Sequence, residues 1–112
     1  MIPGSWVTCT IAKDGTTSTE CDLGRVYENV IVQLPALTSG TIKPQGAKFS
    51  GDTAKDIYIV VPTTGALIQV ISAATTGDHM VVYPLGGFRF IKFVSGAEQA
   101  AARTIYCQGV RS

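Results

Sequence analysis

The sequence is poor in charge. Only 15% of its 112 residues are charged, whereas about a quarter is usual in a soluble domain. The net charge is +1, so the chain has no overall field that would attract nucleic acid. A weakly charged surface suits a chain that buries part of that surface against a partner protein. A small sandwich with a Thr- and Ser-rich surface would have the same composition, so both interpretations stay open.

The motifs that common enzyme classes require are also missing. The chain has no GxSxG elbow, no Walker loop, no GxGxxG and no calcium-loop spacing. Its one histidine, His79, follows Asp78, but hydrolysis by such a pair would also need a placed nucleophile. Asp52 and Asp56 lie close together in a polar loop with Lys55 between them. We interpret these groups as solvated surface charge, and we predict that the chain is not an enzyme and binds no cofactor.

Cysteine is scarce, and the three cysteines show no metal-binding spacing. There is no CxxC and no cluster of histidines, so we predict no metal site. Cys9 and Cys21 lie symmetrically about Gly15, and a hairpin turning at Asp14-Gly15 would bring them face to face. A disulfide is conceivable there. The alternative is that they are small buried thiols in a reducing cytoplasm.

Segments typical of export or of membrane helices are absent as well. Residues 1–4 have neither the basic start nor the apolar run of an export signal. The longest uncharged run, residues 57–77, contains Pro62-Thr-Thr-Gly65 and many β-branched residues. It therefore predicts two strands and a turn. We expect a soluble protein that is made inside a cell.

What the sequence does contain is a series of short strand patterns. In residues 5–12, Val7, Cys9 and Ile11 alternate with polar residues and Trp6, as in a half-buried strand. Residues 26–34 place Val26 on an apolar face, with Glu28 as an exception. Residues 39–47 are predicted to form an edge strand or to contain a bulge, because Pro44 cannot donate to a ladder.

Residues 79–109 are the densest apolar stretch. They predict three strands, Met80–Tyr83, Phe88–Val94 and Ala102–Gln108. Lys92 falls on the same face as Phe88, so either a bulge near Ile91-Lys92 turns it outward or a neighbour covers both faces of the strand. Residues 97–103 read as a loop with at most one helical turn. The whole chain therefore predicts an all-β fold, an antiparallel β-sandwich or jelly roll of about eight short strands. We expect one domain over residues 1–112, with residues 1–4 as a short arm.

Several segments together resemble a known family. They are Thr17-Ser-Thr-Glu-Cys-Asp-Leu-Gly24, Val30-Ile-Val-Gln-Leu-Pro-Ala-Leu37, Pro84-Leu-Gly-Gly-Phe-Arg-Phe-Ile-Lys-Phe93 and Gln99-Ala-Ala-Ala-Arg-Thr-Ile105. Their order is similar to that of the capsid decoration proteins of tailed bacteriophages, the jelly-roll cement or staple proteins. Those of epsilon-fifteen-like podoviruses look most similar.

The resemblance implies a non-enzymatic virion protein, made in the bacterial cytoplasm, that decorates the outside of the head and bridges major capsid subunits. It implies a homo-oligomer, with a dimer favoured, and no nucleic acid or membrane partner. We predict that the capsid contacts are Met1, Ile2, Pro3, Trp6, Lys43, Pro44, Arg89, Arg103 and Arg111. The alternatives are a phage tail or neck protein and a carbohydrate-binding module. The latter could use aromatic residues, namely Trp6, Tyr27, Tyr58, Tyr83 and Tyr106.

Overall fold

The computed structural model describes residues 2–38, 40–73 and 79–111, and in these residues the fold is all-β. Ile2, Pro3 and Arg111 are described through their backbone pairing. The strands are β1 (Ile2–Ile11), β2 (Cys21–Leu34), β3 (Thr41–Ala47), β4 (Lys55–Asp56), β5 (Tyr58–Val60), β6 (Leu67–Gln69), β7 (Ser72–Ala73), β8 (His79–Ser95) and β9 (Arg103–Arg111). All pairings between them are antiparallel.

Seven strands form one sheet, and two form a separate hairpin. The large sheet has the order β1-β9-β2-β8-β3-β4, with β7 paired to β3, and the second sheet is β5-β6. Most core side chains come from β1, β2, β3, β8 and β9, and the connecting segments add Leu37, Ile57 and Val70 to the same apolar interior. This confirms the predicted all-β class and is consistent with a β-sandwich.

The predicted turn after β1 is present. Asp14 has a φ of 65°, a left-handed conformation that aspartate tolerates better than most residues, and Gly15 N–H donates to Ala12 O at 2.9 Å. The returning chain bridges Val94 of β8 through Thr17 and then bridges Ile11 through Ser18. The turn therefore ties the first strand to the far end of β8.

The start of the chain differs from the prediction. Residues 2–4 belong to β1, where Ile2 pairs with Arg111 and Pro3 with Val110, so they are not a separate arm. Met1 lies outside the described residues. A register irregularity follows between Pro3 and Trp6.

The middle of β2 also departs from a regular alternation. Tyr27 is buried and Val26 is 55% exposed, whereas Val30 and Val32 are fully buried. The pairing with β8 shifts register on both sides of Tyr27, and such irregularities move side chains from one face to the other. The predicted inward position of Val26 is therefore wrong, and Glu28 is exposed because the phase changes beside it.

β8 is one strand of 17 residues rather than the two that we predicted. The chain continues through Pro84 and Gly86-Gly87, with Gly86 at φ 74° and Gly87 at φ 127°. Opposite Ile91 and Lys92 the pairing with β3 is continuous. The bulge considered there is therefore absent, and the irregularities lie instead between Asp22 and Asn29 of β2 and between Pro84 and Phe88 of β8.

The loop that precedes β9 is tied down by one side chain. No helical turn forms between residues 96 and 102. Gln99 is fully buried, and its Oε1 accepts from Thr38 N–H at 2.9 Å. Its Nε2 lies 3.2 Å from Ser95 Oγ and 3.1 Å from Ala97 O, to which it donates. One glutamine thus holds two loops together.

Candidate interaction surfaces

The β5-β6 hairpin carries a concentration of exposed apolar side chains. Its apolar members are 43% to 64% exposed; they are Tyr58, Ile59, Val60, Leu67 and Ile68, with Ile71 just beyond. Val60 pairs with Leu67 and Ile59 with Ile68, so both faces of the small sheet are apolar and open. We call this set the apolar hairpin.

The base of the apolar hairpin is anchored in the core. Ile57 and Val70 are each 6% exposed, and Val70 N–H donates to Ile57 O at 2.8 Å. At the tip, Gly65 N–H donates to Val61 O in the predicted Pro-Thr-Thr-Gly turn. The sequence predicted the two strands and their turn correctly, but it did not indicate that most of their apolar side chains would be exposed.

A second exposed apolar surface lies on the outer face of the large sheet. One row of paired residues crosses four strands of this sheet. It runs from Trp6 of β1 to Gln108 of β9, then to Ile31 of β2 and to Val82 of β8. Residues in register share a face of the sheet. Trp6, Tyr106, Met80 and Val82 are 45% to 61% exposed, and Ile31 is half-buried. We call this set the outer sheet face.

The predicted charged contacts are engaged within the chain. Arg89 donates to both carboxylate oxygens of Asp22, at 2.8 and 3.0 Å, and its guanidinium lies 4.9 Å from the centre of the Phe90 ring. Lys43 Nζ lies 2.8 Å from Asp56 Oδ1. Because these charges are already paired, any capsid acid would have to compete with the internal carboxylates.

The remaining predicted contacts lie in different environments. Arg103 is half-buried and donates to Gln99 Oε1 at 3.3 Å. The side chain of Pro44 belongs to the inner face of β3 and is fully buried. It is therefore not available as a surface contact of this chain. Trp6 is exposed. The predicted contacts therefore do not form one cluster.

The prediction that Pro44 marks an edge strand or a bulge was wrong, because β4 and β7 pair with the other side of β3 and its pairing with β8 is regular. Pro44 is opposite Phe93 of β8. On the other side of β3, β7 pairs with Thr41 and Ile42, and β4 pairs with Gln45 and Gly46. Pro44 thus falls between these two short edge strands, where a missing N–H donor leaves no ladder bond unmade.

The aromatic residues divide into two groups. Tyr27 and Tyr83 are each only 4% exposed, whereas Trp6, Tyr58 and Tyr106 are 45% to 49% exposed. Burial raises the pKa of Tyr83, and its hydrogen bond with Ser72 opposes that rise. Of these five candidate residues, only the three exposed ones could stack against a ligand.

The three cysteines, which are far apart in the sequence, meet in the core. Their sulfur atoms all lie within 4.8 Å of one another, and the three thiols are free and almost completely buried. Hydrogen bonds from Cys107 and Cys21 lower the pKa of the Cys9 thiol. Hydrogen bonds with Cys21 and Cys9, together with burial, raise the pKa of Cys107. Cys9 and Cys21 are therefore buried free thiols, the second of the two interpretations of the sequence. The sequence spacing did not indicate that strand pairing would bring Cys107 beside them.

Of the carboxylates considered for catalysis, Asp56 is engaged by two side chains of β3. Asp56 accepts from Lys43 and from Gln45 Nε2, and these hydrogen bonds lower its pKa. His79 is exposed at the start of β8, and Asp78 lies outside the described residues. In the part of the chain that the structure describes, no helix is long and apolar enough to cross a membrane.

Comparison with known proteins gives a likeness of fold. No protein-family model and no curated protein sequence matches the chain. The structure is similar to that of SPBc2 prophage-derived protein YomS, with a TM-score of 0.55 and 15% sequence identity over 97% of this chain and 95% of that chain. A weaker similarity, with a TM-score of 0.43 and 13% identity, covers 92% of this chain and 21% of the catalytic domain of a GH87 alpha-1,3-glucanase. At such identities the similarity describes the fold and not a function.

Proposed function

We propose that this chain is a bacteriophage structural protein that decorates the outside of a tailed-phage head and bridges major capsid subunits. The observation that carries the proposal is the apolar hairpin. Leu67 and Ile68 are 64% and 56% exposed, although they sit in a regular antiparallel sheet. Contiguous exposed apolar surface of this kind marks protein–protein contact sites. The prophage origin of YomS, which has a similar fold, supports the phage assignment.

Many copies of this chain bound to one shell would stabilise it together. A small chain can bury only a modest interface, but many copies engage shell subunits that are held at fixed spacing. The low overall charge favours such contacts, because few charges need to be desolvated. The outer sheet face gives each copy a second apolar surface, and one surface can bind a second copy while the other binds the shell. Such a dimer would clamp neighbouring subunits against internal DNA pressure.

Binding to empty expanded heads of the phage that encodes the chain tests the proposal. We expect saturable binding of the wild-type chain and at least a tenfold loss of affinity in the Leu67→Glu/Ile68→Glu variant. Val26→Glu is the matched control, because Val26 is 55% exposed but lies in neither apolar surface. An absence of saturable binding by the wild-type chain would overturn the proposal. Sedimentation equilibrium tests the dimer, and a strictly monomeric species at high concentration contradicts it.

A carbohydrate-binding module is the second candidate. Trp6 of β1 is opposite Gln108 of β9, and Tyr106 lies two residues before Gln108. The two aromatic rings are therefore diagonal neighbours on the same face, and both are about half exposed. Exposed aromatic rings in this arrangement can stack on a sugar ring. Glycan-array binding that is lost in Trp6→Ala, but kept in Leu67→Glu/Ile68→Glu, would favour this function over capsid decoration.

A further inference from the structure

We propose that Cys9, Cys21 and Cys107 form a three-coordinate site for a soft monovalent metal ion, Cu(I). The three residues come from three different strands: Cys9 from β1, Cys21 from the first position of β2 and Cys107 from β9. Cys107 is opposite Val7 on one side and Val32 on the other, which fixes it between β1 and β2. The fold thus presents three sulfur atoms to one point, all within 4.8 Å of one another.

The distances suit a trigonal site. With metal–sulfur bonds of roughly 2.3 Å, three sulfurs around one ion lie roughly 4 Å apart. Contraction of the cluster by less than about 1 Å, within the reach of small χ1 rotations, therefore brings all three sulfurs into bonding distance. No movement of the strands is required.

The donor set selects the metal. All three donors are sulfur, and soft thiolate ligands favour Cu(I), Zn(II) and iron–sulfur clusters. Structural zinc and iron–sulfur sites take four protein ligands. Among the described residues, no histidine, carboxylate or further cysteine joins the three sulfurs in one group. Cu(I) is satisfied by two or three thiolates, so it is the ion that this set fits.

The surroundings close the site. The three side chains are 0% to 2% exposed, so solvent does not supply a fourth ligand. Ser18, itself buried, lies beside the cluster; its Oγ accepts from Phe93 N–H at 2.8 Å and donates to Thr19 O at 2.9 Å. Ser18 is therefore a neighbour of the three cysteines and not one of the metal ligands. Each thiol that becomes a thiolate ligand releases one proton, so binding exchanges protons for the ion.

A bound ion would join β1, β2 and β9 at one point. Because it binds the folded chain and finds no preformed site in the unfolded one, it raises the unfolding temperature by an amount that grows with the logarithm of its affinity. The site is independent of the apolar hairpin, so its failure and the failure of capsid binding are separate results.

The test is an anaerobic titration of the reduced full-length chain with Cu(I), in competition with a Cu(I)-specific chelator, followed by X-ray absorption at the copper edge. We expect one Cu(I) per chain, a sulfur-only shell at roughly 2.3 Å and a higher unfolding temperature. The Cys9→Ala/Cys21→Ala/Cys107→Ala variant should not compete with the chelator.

Several results would overturn the proposal. They are no retention of copper by the wild-type chain, equal retention by the cysteine-free variant, and oxygen or nitrogen in the copper shell. Tighter retention of Zn(II) in a tetrahedral environment, measured in the same way, would overturn the choice of ion. If the cysteine-free variant does not fold, the absorption spectrum of the wild-type complex decides alone.

Discussion

The ring of Tyr27 packs directly on the backbone of Gly109. A Cβ atom at position 109 would lie 2.6 Å from Tyr27 Cε2 and closer still to two other ring atoms. The same ring reaches β1, where a Cβ atom at Gly4 would lie 2.8 Å from Tyr27 Cζ. Tyr27 is buried, so it fills space that two glycines on neighbouring strands leave open.

This contact predicts that Gly109→Ala destabilises the fold. The added methyl group must displace a buried ring, and overpacking of this kind costs about 1–3 kcal/mol in the free energy of unfolding. Urea unfolding followed by circular dichroism measures the change.

A double-mutant cycle provides the control. Tyr27→Ala should itself destabilise the chain by about 3–5 kcal/mol, because it leaves a cavity. In the Gly109→Ala/Tyr27→Ala variant the new methyl group meets no ring, so the two effects should fall short of their sum. Simple additivity would contradict the proposed clash.

The apolar hairpin should be dispensable for stability along its length and essential at its base. Leu67→Asp alters an exposed side chain and should change the free energy of unfolding by no more than about 0.5 kcal/mol. Ile57→Ala empties a buried position and should cost about 2–5 kcal/mol. Thermal and urea unfolding of both variants check this contrast. A large loss of stability in Leu67→Asp would mean that the hairpin packs against the rest of the chain.

Local sequence patterns correctly predicted which side chains face the core where the strands are regular. Val7, Cys9 and Ile11 face inward as their alternation predicted, and Trp6 faces outward. The pattern failed at Tyr27, because a register shift depends on the partner strand. Its mark in the sequence of β2 is Gly24, which lies within the shift at φ 90°, since a glycine inside a strand often indicates a bulge. Pro84 suggested the end of a strand, but β8 continues through it. Whether a strand continues past a proline depends on its pairing with neighbouring strands.

The candidate sites were harder to predict than the fold. Cys107 is separated from Cys21 by most of the chain, and only the pairing of β9 with β1 and β2 brings the thiols together. The residues of the apolar hairpin have the composition of a core strand. Whether such a strand is covered depends on the rest of the fold, so its exposure could not be predicted from its own residues.

Gln99 should be important for stability although it contacts no candidate interaction surface. Replacing it with leucine leaves Thr38 N–H without its acceptor and Ser95 Oγ without one of its partners. Loss of a buried polar partner costs about 1–3 kcal/mol, which urea unfolding of Gln99→Leu should detect. Gln33→Leu is the matched control, because Gln33 is exposed on β2. Equal stability of the two variants would contradict the role of Gln99.

The fold should lose stability in acid. The hydrogen bond from Arg89 lowers the pKa of Asp22, and the Gly51 N–H and the Ser50 hydroxyl lower that of Glu20. In the unfolded chain the pKa values of Asp22 and Glu20 are about 3.9 and about 4.3. Above those values both are charged in either state, and the stabilisation is complete. As the pH falls through the lower pKa values of the folded state, the unfolded chain has bound more protons, and the stabilisation is lost.

The Arg89→Ala variant isolates one part of this acid sensitivity. Without Arg89, the pKa of Asp22 should rise towards its unfolded value, so the urea midpoint should fall less steeply between pH 5 and pH 2.5 than in the wild type. Because the pair is exposed, its contribution should shrink as salt is added. Wild-type stability that stays constant or increases over this range would contradict the assignment, since depressed carboxyl pKa values require a loss in acid.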